Sequence, residues 1–123
     1  MRILIPTAGP VPAAENANYI LEIAKKLKAD VTVLHILDLA EESKGEKALN
    51  IFEYLGSEMG LNVKTILKEG NVVPIIVDTA EDENANLIIM GASKGRIVAE
   101  WIVTDVMEKC SVPVVIIPYQ YNK

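Results

Sequence analysis

Apolar residues gather along this chain in two kinds of pattern. Continuous runs occupy Ile3 to Ile5, Val31 to Leu37, Leu87 to Met90 and Val112 to Pro118. Strands covered by helices on both faces look this way, because neither face meets water. Leu61 to Glu69 alternates more closely and predicts an edge strand. Between the runs, apolar residues recur at helical spacing: Ala14, Ala17, Leu21, Ala24 and Leu27 on one stripe, Ala48, Ile51, Phe52, Leu55 and Met59 on a second, and Val73, Ile76, Val77 and Ala80 on a third. A last helix, Arg96 to Cys110, carries Val98, Ile102, Val106 and Cys110. Gly60 ends the second helix, Gly70 and Asn71 open the third with Pro74 in its first turn, and Val112-Pro113 starts the last strand. Strict alternation of strands and helices implies parallel strands joined by right-handed crossovers, hence an α/β protein with an open three-layer α/β/α sheet. A length of 123 residues suits one domain, 1–123. Ala40 to Lys47, charged and without apolar anchors, is expected to be a mobile loop.

Charge and cysteine content narrow the partners. A net charge of -5 argues against nucleic acid or an anionic membrane, which are held by Lys and Arg. The single cysteine, Cys110, excludes an internal disulfide and reads as a small core residue near a helix end. No apolar run approaches the roughly 18 residues of a membrane span. The expectation is a soluble cytoplasmic protein. No Ser-His-Asp, Cys-His or metal-ligand spacing appears, so no catalytic residue and no metal site is assigned. The acidic run Glu81, Asp82 and Glu83 reads as a solvated surface, and His35, inside an apolar run, as a satisfied core histidine.

In sheets of this kind ligands bind outside the carboxyl ends of the strands where the winding reverses, here between the first and fourth strands. The loops there are Pro6 to Pro12 and Gly91 to Arg96. In the second, Ser93 and the amides of Lys94, Gly95 and Arg96 stand where a helix start should point, and Lys94 and Arg96 add positive charge. That arrangement suits a small anion; a plain polar turn has the same composition.

At these loops the chain resembles the universal stress protein family over essentially its whole length. The matching pieces are RILIPT, VTVLHILD, the glycine followed by VVPIIVDTAEDENANLIIMG, and VPVVIIP, in that order and spacing. The resemblance implies a Rossmann-like five-stranded parallel sheet in the order 3-2-1-4-5. It also implies a homodimer formed through the last strand and, in many members, ATP binding. ATP-binding members share a pattern of Gly, two residues, Gly, nine residues, Gly and Ser or Thr. Here Gly91 stands as the first glycine, Gly95 follows after three residues, and the terminal pair falls on Glu100 and Trp101, with a loop about five residues shorter. The acidic residue that contacts adenine in those members is Ala8, after Pro6 and Thr7. Ile36, beside His35, would still offer a backbone edge to a base. The candidate crevice is thus Pro6, Thr7, Ala8, Ile36, Gly91, Ser93, Lys94, Gly95 and Arg96, with Ala8, Glu100 and Trp101 as departures. A carboxylate at Glu100 facing a triphosphate would cost on the order of 1 to 4 kcal/mol at about 4 Å.

Val114, Val115, Ile116 and Ile117 form an apolar strand at the expected sheet edge, which invites pairing with a second copy. Together these features predict a stress-response protein that acts as a dimeric binding or regulatory module without ordinary ATP binding and with no expected cofactor. The alternatives are a nucleotide-switched protein that uses ATP through Thr7, Ser93, Lys94 and Arg96, with slow hydrolysis or phosphotransfer, and a purely structural dimerisation module. An unidentified protein partner belongs to the first reading.

Overall fold

The computed structural model describes residues 1–7, 10–37, 42–91 and 98–118. Strands and helices alternate throughout: β1 (Arg2–Thr7), α1 (Pro10–Lys26), β2 (Asp30–Leu37), α2 (Glu42–Glu58), β3 (Val63–Glu69), α3 (Val72–Asp82), β4 (Leu87–Gly91), α4 (Val98–Lys109) and β5 (Val114–Ile117). The strands form one parallel sheet in the order β3-β2-β1-β4-β5, as the sequence predicts, with β3 and β5 at the edges.

The apolar runs of the inner strands are explained by two separate cores. Ile3, Ile5, Val31, Val33 and Ile89 pack against Ala17, Ile20, Leu21 and Ala24 of α1 and Ala48 and Phe52 of α2. Their neighbours in sequence, Leu4, Leu34, Ile88 and Met90, face the other way, towards Val73, Ile76 and Ala80 of α3 and Val106 of α4. Successive residues of each inner strand therefore enter different cores, and both must be apolar.

Several boundaries differ from expectation. Residues 42–47 are the start of α2, not a loop. Glu and Lys are good helix formers as well as polar, and Glu42 stands first, where the helix dipole favours an acid. Ala14 and Leu27 are exposed and drop off the buried stripe of α1, Leu27 because the helix ends at Lys26. In α3 the buried set includes Thr79, while Val77 is only half-buried. α4 begins its described span at Val98, and Cys110 lies just past its end, half-buried against the α3/α4 core. The last strand is confined to Val114–Ile117.

α1, α2 and α3 stop in the same way. Ala29 N–H donates to Ala24 O and Lys28 N–H to Lys25 O; Leu61 and Gly60 repeat this on Gly56 and Ser57, and Ala85 and Asn84 on Ala80 and Glu81. This is the Schellman pattern, which needs a left-handed residue just past the helix. Lys28 (φ 52°), Gly60 (φ 72°) and Asn84 (φ 53°) supply it. Each stop feeds directly into the amino end of a strand.

That end is latched by Arg2. Its N–H donates to Asn86 Oδ1 at 2.8 Å, its carbonyl accepts from Asn86 N–H at 2.8 Å, and Nη1 donates to Glu83 O at 3.1 Å. The carboxylate of Glu83 meets Lys64 Nζ of β3 at 2.7 Å, with only 13% of its side chain exposed. Glu83 therefore departs from the solvated acidic surface expected of its run, while Glu81 and Asp82 are exposed. The hydrogen bond from Lys64 holds the Glu83 carboxyl below its ordinary range, against the opposing effect of burial, with the charges of Lys64, Arg2 and Lys68 adding to the depression.

A depressed carboxyl contributes stability that is present above its unfolded pKa and is lost as pH falls through the folded one. Urea midpoints measured across the acid range should therefore fall below the usual glutamate titration, and Glu83→Gln should flatten part of that fall. Parallel curves for the two proteins would remove Glu83 from the acid response. At the α2–β3 contact, a Cβ on Gly56 would collide with Val63 Cγ2. Gly56→Ala gains about 1 kcal/mol of helix propensity but incurs about 1 to 3 kcal/mol of overpacking. The variant should unfold at lower denaturant, and the same substitution in a Val63→Ala background should stabilise.

Candidate functional site

The sheet opens at its carboxyl end between β1 and β4. β1 pairs with β2 along its whole length, from Arg2↔Asp30 to Thr7↔His35. Against β4 its register comprises Ile3↔Leu87 and Leu4↔Ile88. β4 stays paired with β5 up to Gly91↔Ile117. The two central strands therefore part above Leu4 and Ile88, and Thr7 and Gly91 become the two rims of a crevice. Neither neighbour pair opens in this way, so the crevice sits at the reversal of winding, where the crossovers leave β1 in opposite directions.

Pro6 and Thr7 are half-buried on the β1 rim, and Gly91 is half-buried on the β4 rim. Ile36 is half-buried near the end of β2, one residue beyond the partner of Thr7, and packs against the α3/α4 core. The structure thus brings Pro6, Thr7, Ile36 and Gly91 to one end of the sheet. Ala8, Ser93, Lys94, Gly95 and Arg96 lie outside the described residues. Glu100 and Trp101 lie within the described span of α4, Val98–Lys109. Positions 100 and 101 are therefore helical backbone.

Two buried polar side chains define the rims from the α1/α2 face. His35 is 3% exposed, and its Nδ1 lies 2.9 Å from the carbonyl oxygen of Thr7. A carbonyl only accepts, so Nδ1 carries the hydrogen. Nε2 is buried without a hydrogen-bond partner among the described residues, so the imidazole is only half satisfied. On the other rim, Asn16 of α1 is 2% exposed and fills the place a side chain at position 91 would take: a Cβ there would lie 2.7 Å from Asn16 Cγ and closer still to Nδ2. Gly91 is thus required by the packing of α1, whether or not a phosphate approaches it.

The sequence reading passed over Asn16. Its signal was a polar residue four positions before Ile20, on the buried stripe of α1. The described ends of β1, β2 and β4 bring peptide groups and apolar surface to this end of the sheet. Among the described residues, no group of three or more His, Cys, Asp or Glu is placed to hold a metal ion. Among the same residues, no helix is long and apolar enough to cross a membrane.

The sequence profile described as "Universal stress protein family" matches residues 1–118. Universal stress protein MJ0531 of Methanocaldococcus jannaschii is 28% identical over 109 residues, 75% of this chain and 64% of the relative. The chain therefore spans less than two thirds of that relative's length. Among solved structures, the protein MJ0577 superposes with a TM-score of 0.74 at 29% identity, covering 95% of this chain and 94% of the other. The universal stress protein of Archaeoglobus fulgidus in complex with dAMP gives a TM-score of 0.75 at 22% identity, over 95% and 97% of the two chains. With the profile matched from the first residue of β1 to the end of β5, and the sheet wound in the same order, the chain belongs to the universal stress protein family.

Proposed function

We propose that this protein is a dimeric binding and regulatory module whose crevice does not hold ATP in the ordinary manner and takes a nucleoside monophosphate or a comparable small anion. The observation that carries the reading is the place of Glu100 and Trp101 in the helical backbone of α4. A triphosphate needs an extended loop whose glycines let backbone approach the phosphates. Only four residues separate Gly95 from Glu100 in the sequence, which leaves fewer peptide groups for such a loop. A single phosphate asks for less. The dAMP held by the Archaeoglobus relative supports that ligand class. The Thr7 and Ile36 backbone at the strand ends supports a base contact, and Ser93, Lys94, Gly95 and Arg96 supply the anion contact.

Dimerisation is proposed through β5. It is an edge strand of four residues, Val114, Val115, Ile116 and Ile117, with Val115 39% and Ile116 40% exposed. An apolar edge with free peptide groups on one side suits pairing with a second copy by two-fold symmetry. Regulation then consists of a ligand-dependent change in what the dimer binds, with an unidentified protein as the further partner. The rival reading is an ATP switch with slow hydrolysis or phosphotransfer built on Thr7, Ser93, Lys94 and Arg96.

Thermal unfolding with AMP, Mg-ATP and sulfate separates the two. A ligand at about a hundred times its dissociation constant stabilises the native state by about 2.7 kcal/mol, a shift of several degrees for a domain of this size. AMP and sulfate should each raise the midpoint, and Mg-ATP should not exceed AMP. A shift with Mg-ATP alone would establish the rival. Glu100→Gly combined with Trp101→Ser should leave AMP affinity unchanged. If it raises ATP affinity, the two side chains are the barrier; if it does not, the shortened connection is.

A further inference from the structure

We propose that His35 and Asn16 are the positioning residues of the crevice, setting its two rims from the α1/α2 face without touching the ligand. The inference rests on the binding reading above, because positioning has meaning only where something is bound. On the β1 rim, strand pairing to β4 ends at Leu4↔Ile88, so the ladder to that side does not hold the last residues of β1. The Thr7 carbonyl is held instead by a side chain, the Nδ1–H of His35 at 2.9 Å. That bond fixes the plane of the peptide leading out of Thr7, and with it the direction in which β1 hands the chain to its ligand-facing loop. On the β4 rim, the Asn16 carboxamide occupies the space beside Gly91 and fixes where the connection to α4 begins. Both side chains are almost wholly buried, 3% and 2% exposed, so neither is available to a ligand in the crevice.

A buried imidazole with a bare Nε2 is a poor choice for packing alone, since an apolar side chain would fill the space without leaving a polar atom unmatched. The donor to Thr7 is what distinguishes histidine from an apolar residue here. Asparagine can present an N–H close to the position of Nδ1, whereas phenylalanine keeps volume and loses the donor.

AMP titration of the wild-type protein, His35→Phe, His35→Asn and Asn16→Ala tests the assignment, with amide hydrogen exchange as the second readout. His35→Phe and Asn16→Ala should each weaken AMP by about tenfold or more, and His35→Asn should recover most of the loss. Exchange in His35→Phe should rise at the end of β1 and stay unchanged in the middle of β2. Wild-type affinity in His35→Phe, or equal weakening in His35→Asn, overturns the role of His35; wild-type affinity in Asn16→Ala overturns that of Asn16. If the wild-type protein does not bind AMP, the proposed ligand fails on its own. The exchange pattern then decides the rims: no local rise at the end of β1 in His35→Phe, or at Gly91 in Asn16→Ala, refutes the positioning.

Discussion

Burial of β1 on both faces is the constraint on which the remaining structure depends. Leu4 enters the core under α3 and α4, while Ile3 and Ile5 enter the core under α1 and α2. A strand so placed needs a helix layer on each side and a neighbour strand on each edge, and a chain that alternates strand and helix meets both needs only by winding outward from it in two directions. The order β3-β2-β1-β4-β5 is that winding, and the crevice is its by-product. Where the crossovers diverge, β1 and β4 have no loop in common to close the space above them. The site is thus a consequence of packing, and its chemistry is whatever the loops there provide.

Much of this was legible in the residues, for a physical reason. Runs such as Val31 to Leu37 are continuous because their residues alternate between two dry cores, and few other arrangements tolerate that. The helical stripes followed equally from burial, except at their ends. Ala14 and Leu27 carry the right side chains at the right spacing, yet lie beyond the area that the sheet covers. Residues 42–47 were misread because a solvated loop and the start of a helix can share the same composition. Glu83 was misread because its run of three acids hides which one turns inward, and that depends on Lys64, nineteen positions earlier in another element.

The candidate site was read as a place in the winding, and the residues proposed to line it were read from motif alone. The crevice between the first and fourth strands followed from the winding alone, and Thr7 and Gly91 occupy its rims. Gly91 shows the limit of motif reading. A glycine before a helix suggests a phosphate, whereas the contact that demands it here is the carboxamide of Asn16, from seventy-five positions away. His35 shows the converse. Its apolar surroundings marked it as core, which is correct, but a core place does not prevent a side chain from holding a backbone carbonyl at the edge of a site. Contacts between distant segments leave no periodic trace, which is why neither pairing could be read from the chain.

The three Schellman stops give the two ends of the sheet different freedoms. At the amino end, each helix closes on its own backbone within a few residues, at Lys28, Gly60 and Asn84, and delivers the chain to the next strand at a set point. Strand alignment is thereby secured by local geometry, far from the crevice. The carboxyl-end connections have no part in that alignment, so they are free to lengthen, shorten or change composition across a lineage. Such a scaffold can gain or surrender a ligand by loop editing alone, and descendants with the same architecture need not answer to the same signal.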